Sequence, residues 1–300
     1  MSKEMSGVFT IPVTPFTENG ELDEDSLCRV TEFCVAAGGH GVVAPVNASE
    51  FSTLSDDERK TVMKIVVEKV AGRIPVVLGV SGVSTAVAVM FSQYAESIGA
   101  DAVIAMPPYV QKLATEGLYT YYAAISGAID LPIFVQNYGP PIGTPMSSAF
   151  VARMAREIEH VEYIKEETPP VTHQVSAVLE LGGEAVKGVF GGAAGRYMLD
   201  EMRRGAIGTM PACDITDLHV EIWSLYQRGE EEAARLLFNQ ILPLLNMEAQ
   251  FGVLLYKEVL KRRGVIRSAY VRNPSAKLDS YDHMELDEIL AAIRPLFRVT

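Results

Sequence analysis

The sequence predicts an α/β protein with the fold of a (β/α)8 TIM barrel followed by a C-terminal helical extension. Short β-branched segments alternate with amphipathic helical segments from residue 8 to about residue 210, which is typical of βα units feeding a parallel sheet. Eight units can be counted, and eight closes a barrel, whereas an open doubly wound sheet more often has five or six strands. We therefore expect a barrel over residues 1–211 and helices packed on it over residues 212–300.

Most of the predicted strands are continuously apolar, as strands buried on both faces of a parallel sheet should be. Each is bounded by glycine, proline or polar residues, which are common where strands end. In chain order the strands are Val8–Val13, Gly41–Ala44, Pro75–Leu78, Ala102–Ala105, Pro132–Gln136, Val161–Lys165, Ala185–Val189 and Ala206–Thr209.

Several predicted helices have recognisable start signals. Ser55 followed by Glu58 is the pattern of a capping box, and Ser147 or Ser148 precedes a helix that ends near Arg156. After residue 211 the strand pattern disappears. Four helical segments are expected there, namely Ile215–Arg228, Glu231–Leu245, Gln250–Arg263 and Leu286–Arg294.

Composition limits the classes of partner. Lys and Arg number 26 against 38 Asp and Glu, so the formal charge is -12 and nucleic acid is an unlikely partner on charge alone. The hydrophobic fraction of 48% and the charged fraction of 21% are those of an ordinary globular protein. If the substrate is an anion, backbone N–H groups and a few cationic side chains must attract it locally, because the overall field will not.

Cysteine usage and the N-terminal segment predict a cytoplasmic protein with no membrane partner. Cys28, Cys34 and Cys213 include no C-x-x-C pair, so we expect free thiols. The first residues are polar and lack the apolar centre of a signal peptide. No apolar run approaches the roughly 20 residues that a membrane-spanning helix needs.

Lys165 is the most informative residue at a strand end. It ends an apolar strand, where its side chain is expected to point into the barrel, and burial disfavours the ammonium form and frees the amine to attack a carbonyl. The alternative is a lysine that only pairs with Glu166 or Glu167. Lys187, on the next strand, is a rival nucleophile, but its neighbours predict a position that faces the helices.

Two loops that follow strands offer backbone groups to a ligand. Asn47, Ala48 and Ser49 follow the second strand and present successive N–H groups that suit a carboxylate, although the pattern taken alone favours a turn that only caps the loop. Gly191 begins a glycine-rich segment without the Lys-Ser/Thr of a P-loop, so we favour close packing of a ligand or helix there. The five histidines lack metal-ligand spacing, and we expect no metal site.

Taken together, the strand-end segments resemble the dihydrodipicolinate synthase/N-acetylneuraminate lyase family of class I aldolase-type barrels. The resemblance covers nearly the whole chain and implies that Lys165 is the family's imine-forming lysine, with no further cofactor. It also implies a homotetramer or a homodimer. The segments that carry it are Ile11-Pro12-Val13-Thr14-Pro15-Phe16, Ser49-Glu50-Phe51-Ser52-Thr53-Leu54-Ser55-Asp56-Asp57-Glu58-Arg59, Pro107-Pro108-Tyr109, Glu116-Gly117-Leu118-Tyr119 and Tyr163-Ile164-Lys165-Glu166.

Departures from the family pattern argue against condensation in the lysine pathway. The synthases carry Gly-Thr-Thr-Gly-Glu where this chain has Val46-Asn47-Ala48-Ser49-Glu50, and a relay tyrosine where it has Gln136. A second tyrosine falls on Val110, and an anion-binding arginine falls near Pro141. The variant pattern, which includes Asn47-x-Ser49-Glu50 and Lys165-x-Glu167-Thr168-Pro169, is similar to that of 2-keto-3-deoxy sugar-acid dehydratases such as the 2-keto-3-deoxyarabonate dehydratases.

The resemblance implies that Lys165 attacks C2 of a small 2-oxo acid, after which either dehydration or aldol cleavage can follow; we favour dehydration. Two alternatives remain, a 2-oxo acid-binding barrel without catalysis and a cofactor-independent barrel enzyme without imine chemistry. The residues expected to assist catalysis are Tyr138 and Gln136, with the Glu166/Glu167 pair or a water as further proton carriers. The residues expected to bind substrate are Asn47, Ala48, Ser49, Asn137, Tyr109, Glu167 and Gly191.

Overall fold

Eight parallel strands form a closed barrel in the order of the sequence, which confirms the predicted TIM barrel. The structure is a computed structural model that describes residues 5–139, 142–274 and 276–299. An α-helix follows each strand, and further α-helices continue to residue 293. The strands are β1 Gly7–Thr10, β2 Gly41–Ala44, β3 Val76–Gly79, β4 Ala102–Ala105, β5 Ile133–Asn137, β6 Val161–Glu166, β7 Gly188–Gly191 and β8 Gly208–Thr209.

Eleven α-helices lie within the described residues. The capping box at Ser55 is confirmed, because its hydroxyl accepts from Glu58 N at 3.2 Å and the Glu58 carboxylate accepts from Ser55 N at 2.9 Å. Ser147 caps the fifth helix, as predicted. The helices are α1 Glu24–Ala36, α2 Asp56–Val70, α3 Thr85–Ser97, α4 Thr115–Ser126, α5 Ser148–Glu157, α6 Val171–Gly182, α7 Met198–Arg203, α8 Thr216–Gln227, α9 Glu231–Phe251, α10 Val253–Arg262 and α11 Ser280–Ile293.

Two strands differ from their predicted bounds by three residues. β1 ends at Thr10 and not at Val13, and Ile11 makes only an isolated bridge to Ala212. The next residue is Pro12, which has no N–H to donate to a strand ladder. β7 begins at Gly188 and not at Ala185, because Gly183–Ala185 form a 3-10 turn directly after α6.

Contacts divide the described chain into two compact units, each of which is described here by itself. One contains Pro75–Ala193 and Tyr197–Met210, and therefore β3–β8 with α3–α7. The other contains Gly7–Ile74, Ala194–Arg196 and the residues from Pro211 onwards. The predicted boundary near residue 211 coincides with a border between the units, but the helices after it group with β1, β2, α1 and α2. No helix among the described residues is long and apolar enough to span a membrane.

An aromatic layer supports the centre of the unit that contains β3–β8. The rings of Phe134 and Tyr163 stack at 4.6 Å, and Phe190 meets Phe134 edge-on at 5.3 Å. Successive residues of a strand face opposite sides, so Gln136 and Lys165, two residues after Phe134 and Tyr163, lie on the same face as these rings. Register pairs Gln136 with Lys165 across β5 and β6. The polar residues at the strand ends are thus held above a layer of rings.

A buried ion pair fixes the C-terminal segment of the other unit. The Arg263 guanidinium donates two hydrogen bonds to Asp217 at 3.0 and 2.8 Å, and both side chains are almost completely buried. The same carboxylate accepts from the backbone N–H of Arg298 at 2.9 Å. Together these contacts hold α8, the residue that follows α10 and the chain end.

We expect Asp217→Ala to lower the free energy of unfolding by about 3–5 kcal/mol, because it leaves the Arg263 cation buried without its carboxylate. Asp25→Ala is the control, since the pair of Asp25 and Arg267 at 3.5 Å is exposed and should contribute at most about 1 kcal/mol. Urea denaturation of both variants measures the difference. Equal stability loss in the two variants would contradict the assignment.

Candidate active site

Lys165 occupies a buried position near the end of β6. Its side chain is 4% exposed, and its Nζ lies 3.2 Å from Oε2 of Glu167. In the sheet, Lys165 lies between Gln136 of β5 and Phe190 of β7. The expectation from the sequence that the Lys165 side chain is buried is therefore confirmed.

The Glu167 carboxylate is held by donors on three sides. Oε2, the atom nearest Lys165, also accepts a hydrogen bond from Gln136 Nε2 at 2.7 Å. Oε1 accepts from the backbone N–H of Ala193 at 3.0 Å. A Cβ added at Gly192 would lie 2.2 Å from Oε1, so only glycine allows the carboxylate to approach this backbone. Glu167 is therefore fixed beside Lys165 and cannot turn away freely.

Glu166 has a different environment although it is adjacent in sequence. Its carboxylate accepts from Asn137 Nδ2 and from the backbone N–H of Thr168, each at 2.8 Å, and also from the Thr168 hydroxyl. Burial raises the pKa of Glu166, an effect that these hydrogen bonds partly oppose. Since successive strand residues alternate in direction, Glu166 faces away from the side that Lys165 occupies.

Asn137, predicted to bind substrate, is hydrogen-bonded to Met146 and Glu166. Its Nδ2 donates to Met146 O at 2.9 Å as well as to Glu166, and its Oδ1 accepts from Met146 N at 2.8 Å. The amide therefore closes the segment between Asn137 and Met146. Because its hydrogen-bonding groups are engaged there, Asn137 holds the loop in place and is not proposed as a substrate contact.

Two tyrosines follow strands of the same unit. Tyr138 comes directly after β5 and is partly exposed; burial and the negative charge of Glu167 raise the pKa of its phenol. The phenol thus stays protonated at neutral pH. Tyr109 follows β4 and is also partly exposed, and its role as a substrate contact stays a prediction.

Glu201 was not singled out from the sequence, yet it belongs to the same neighbourhood. It lies on α7 and is fully buried, and a Cβ added at Gly191 would lie 1.8 Å from its Oε2. Gly191, predicted to bind substrate, is thus packed against this carboxyl on the side where a Cβ would be. The sequence offered no signal, because an acidic residue beside Asp200 in a short helix usually indicates an exposed helix face.

The unit that contains β1 and β2 fixes the segment Asn47–Ser49 through its own hydrogen bonds. These residues form a 3-10 turn after β2. The Ser49 hydroxyl donates to Pro12 O at 2.7 Å, and the Thr14 hydroxyl donates to Ser49 O at 2.7 Å. The Ser49 side chain therefore stabilises the turn, and binding of a substrate carboxylate by this segment stays a prediction.

The remaining positions of interest lie outside the Lys165 cluster. Lys187 pairs with Glu162 at 2.7 Å and is 55% exposed, which confirms that it faces away from the barrel interior. Val110 is 74% exposed. Pro141, the position near which the family's arginine falls, lies outside the described residues. Over the described ranges, no group of three or more His, Cys, Asp or Glu residues could hold a metal ion.

The geometry can be set beside known proteins. Residues 4–293 match the model of the dihydrodipicolinate synthetase family. The chain belongs to this family. It is 36% identical over 294 residues to the L-2-keto-3-deoxyarabonate dehydratase of Azospirillum brasilense, a match that covers 97% of this chain and 95% of the relative. It is 31% identical over 260 residues to the 4-hydroxy-tetrahydrodipicolinate synthase of Methanopyrus kandleri, covering 81% of each.

Solved structures of the dihydrodipicolinate synthetase family share the fold over nearly the whole chain. The dihydrodipicolinate synthase of Rhodopseudomonas palustris superposes with a TM-score of 0.88 at 27% identity, covering 96% of this chain and 97% of that one. The family match and the relatives make this chain a lyase or aldolase-type enzyme of the family. Because the relatives include both a dehydratase and synthases, the choice of reaction depends on the residues around Lys165.

Proposed function

We propose that this enzyme dehydrates a 2-keto-3-deoxy sugar acid through an imine between Lys165 and C2 of the substrate. The observation that carries the proposal is the buried contact of 3.2 Å between Lys165 Nζ and the Glu167 carboxylate. It supports the proposal because a carboxylate lies directly beside the atom that would become the imine nitrogen. The 36% identity to a 2-keto-3-deoxyarabonate dehydratase is consistent with this reaction.

In the first step the Lys165 amine attacks C2, and water leaves as the protonated imine forms. The amine attacks in its uncharged form, so any proton on it must leave first, and Glu167 Oε2, 3.2 Å from Nζ, or water can accept that proton. The proton is then returned to the former C2 carbonyl oxygen, which departs as water. The protonated imine then withdraws electrons from C3.

In the second step Glu167 accepts a proton from C3. C3 is bonded to C2 and thus lies two bonds from the imine nitrogen, so a carboxylate in contact with that nitrogen is within reach of a C3 proton. The electron pair of the broken C–H bond forms the C2–C3 double bond and neutralises the imine. Glu166, which faces away and is engaged by Asn137 and Thr168, is not proposed as this base.

In the third step the C4–O bond breaks and the hydroxyl leaves as water, while the electron pair of the C2–C3 double bond forms a C3–C4 double bond and restores the protonated imine. The proton that the hydroxyl needs comes from protonated Glu167 or from the Tyr138 phenol, whose raised pKa keeps it protonated. For a five-carbon substrate the unsaturated imine then loses a C5 proton and is protonated at C3, and the resulting C4–C5 enol tautomerises to an aldehyde. Hydrolysis of the imine restores Lys165 and releases a 2-oxo semialdehyde that keeps all five carbons.

Substrate recognition is assigned to residues after the strands. Binding of the substrate carboxylate by Asn47 and Ala48 stays a prediction from the sequence. Tyr109 and the backbone at Gly191 are assigned to the rest of the substrate. The imine provides the electron sink, so no other cofactor is proposed. We also propose that the chain forms a homotetramer or homodimer, as the family resemblance implies.

The position of Gln136 favours dehydration over aldol cleavage. Retro-aldol cleavage needs a base on the C4 hydroxyl, and a neutral amide cannot accept that proton. Its Nε2 donates to Glu167 at 2.7 Å instead, which fixes the carboxylate next to Lys165. Condensation as in the synthases is the second candidate, because relatives with that activity match the chain at 31% identity or more.

We expect pyruvate and borohydride to attach a stable adduct to Lys165, because reduction of an imine makes it permanent. Intact mass followed by peptide mapping locates the adduct. Lys187→Arg is the control and should keep the adduct, whereas Lys165→Arg should lose it. An adduct on Lys187, or none, would rule out the proposed imine, and trapping without turnover of any sugar acid would favour a binding protein without catalysis.

We expect a 2-keto-3-deoxypentonate to yield a five-carbon 2-oxo semialdehyde without release of pyruvate. NMR of the reaction mixture distinguishes this product from the pyruvate and two-carbon aldehyde that cleavage would give. Condensation of pyruvate with aspartate semialdehyde should be weak or absent. Stoichiometric pyruvate from the sugar acid, or robust condensation, would contradict the dehydratase assignment while leaving the imine on Lys165 intact.

We expect Glu167→Gln to lower kcat for dehydration by about 10²–10⁴-fold, the usual contribution of a positioned acid–base group. Trapping of pyruvate on Lys165 should persist, because the amine remains in place. Glu162→Gln makes the same chemical change within β6 but affects the pair with Lys187. Retention of kcat in Glu167→Gln, or equal loss in both variants, would show that Glu167 is not the base.

A further inference from the structure

A second buried carboxyl lies close to the proposed base and has no function assigned to it. Glu201 is fully buried on α7, and neither of its carboxyl oxygens has a hydrogen-bond partner among the described residues. A buried carboxylate without partners is costly, whereas a protonated carboxyl is much less so. The burial alone therefore argues that this side chain is uncharged.

The position of Glu201 ties it to the Lys165–Glu167 pair. Its carboxyl packs against Gly191, and Glu167 packs against Gly192, the next residue. Two carboxyls thus contact adjacent glycines at the end of β7. Thr209 pairs with Gly191 across β7 and β8, and its buried hydroxyl also lacks a partner among the described residues.

The charged groups around Glu201 and its burial together raise the pKa of its carboxyl. Burial raises its pKa most, Glu167 and Asp200 raise it further, and only Lys165 lowers it; the resulting pKa is about 8. A raised pKa means that the acid form persists through neutral pH and is lost above about 8. Ionisation at higher pH would place a second negative charge near the reacting lysine.

We propose that Glu201 is a positioning residue that remains an uncharged carboxylic acid and leaves Glu167 as the single negative partner of Lys165. This inference rests on the proposed imine chemistry. An ionised Glu201 would favour the ammonium form of Lys165 over the free amine and would oppose the transfer of its proton away. It would therefore slow imine formation without touching the substrate.

The test compares the wild type with Glu201→Gln, whose amide imitates the uncharged acid. The rate of imine trapping with pyruvate and cyanoborohydride is measured from neutral to alkaline pH. The two proteins should react at equal rates at neutral pH. Above pH 8 the wild type should react more slowly by on the order of tenfold, because a nearby charge shifts a protonation equilibrium by about a factor of ten. Glu180→Gln, exposed on α6, should follow the wild type.

Two kinetic outcomes would overturn the inference. Coinciding pH profiles would show that Glu201 does not influence Lys165. A folded Glu201→Gln that traps pyruvate much more slowly at neutral pH would show that the carboxyl itself is needed, as an anion or as a proton carrier. A purely structural role would change thermal stability and leave the shape of the pH profile unchanged.

An infrared measurement on the unreacted enzyme tests the charge of Glu201 without turnover. The wild type should show a protonated-carboxyl band at neutral pH that disappears around pH 8, and Glu201→Gln should lack it. The difference between the two proteins is needed because burial also raises the pKa of Glu166, Asp214 and Glu248. Absence of that titrating band in the wild type overturns the inference whether or not the variant folds. Failure of the proposed imine would appear separately, as no trapping in any protein.

Discussion

The contact between Lys165 and Glu167 is the constraint on which the rest of the site depends. Both charges are largely removed from water, which is costly unless further hydrogen bonds offset the loss of solvation. Gln136 and the Ala193 N–H supply them. The neighbouring backbone accommodates this pair. Gly192 lets the Glu167 carboxylate approach the backbone closely, and Ala193, whose N–H donates to that carboxylate, adopts a left-handed conformation with φ 50°.

Strand alternation gives two adjacent glutamates different tasks. In the run Lys165, Glu166, Glu167 the first carboxylate turns outward, where it joins Asn137 to Thr168 and stabilises the loops after β5 and β6. The second lies beyond the end of β6 and returns to Lys165. The Glu166 carboxyl thus positions the backbone from which the Glu167 side chain reaches Lys165. A shift of one residue in this strand would exchange the two roles.

The barrel and its lysine could be predicted because each depends on a local pattern. Apolar strands at regular spacing identify the fold, and a lysine at the end of such a strand is recognisable in the sequence itself. The roles of Asn137 and Glu201 could not be predicted, because each depends on a contact with a residue distant along the chain or on another element: Met146 for one and Gly191 for the other. The sequence likewise left Glu166 and Glu167 undistinguished, since the direction of a residue just past a strand end is set by the loop that follows.

Acidic groups outnumber cations around Lys165, and this imbalance determines how the site can work. Glu166 and Glu201 are buried in the same unit as the nearly buried Glu167 side chain, and if all three were ionised their negative charges would together stabilise the ammonium form of the lysine. Hydrogen bonds from Asn137 and Thr168 screen one carboxyl, burial keeps a second protonated, and only the third faces the amine. Glu167 is consequently the single carboxylate that contacts the Lys165 amine. In the proposed dehydration one base suffices, because it can accept the C3 proton and return it to the leaving hydroxyl. Aldol cleavage would instead require a base on the C4 hydroxyl, and the amide of Gln136 cannot serve as one.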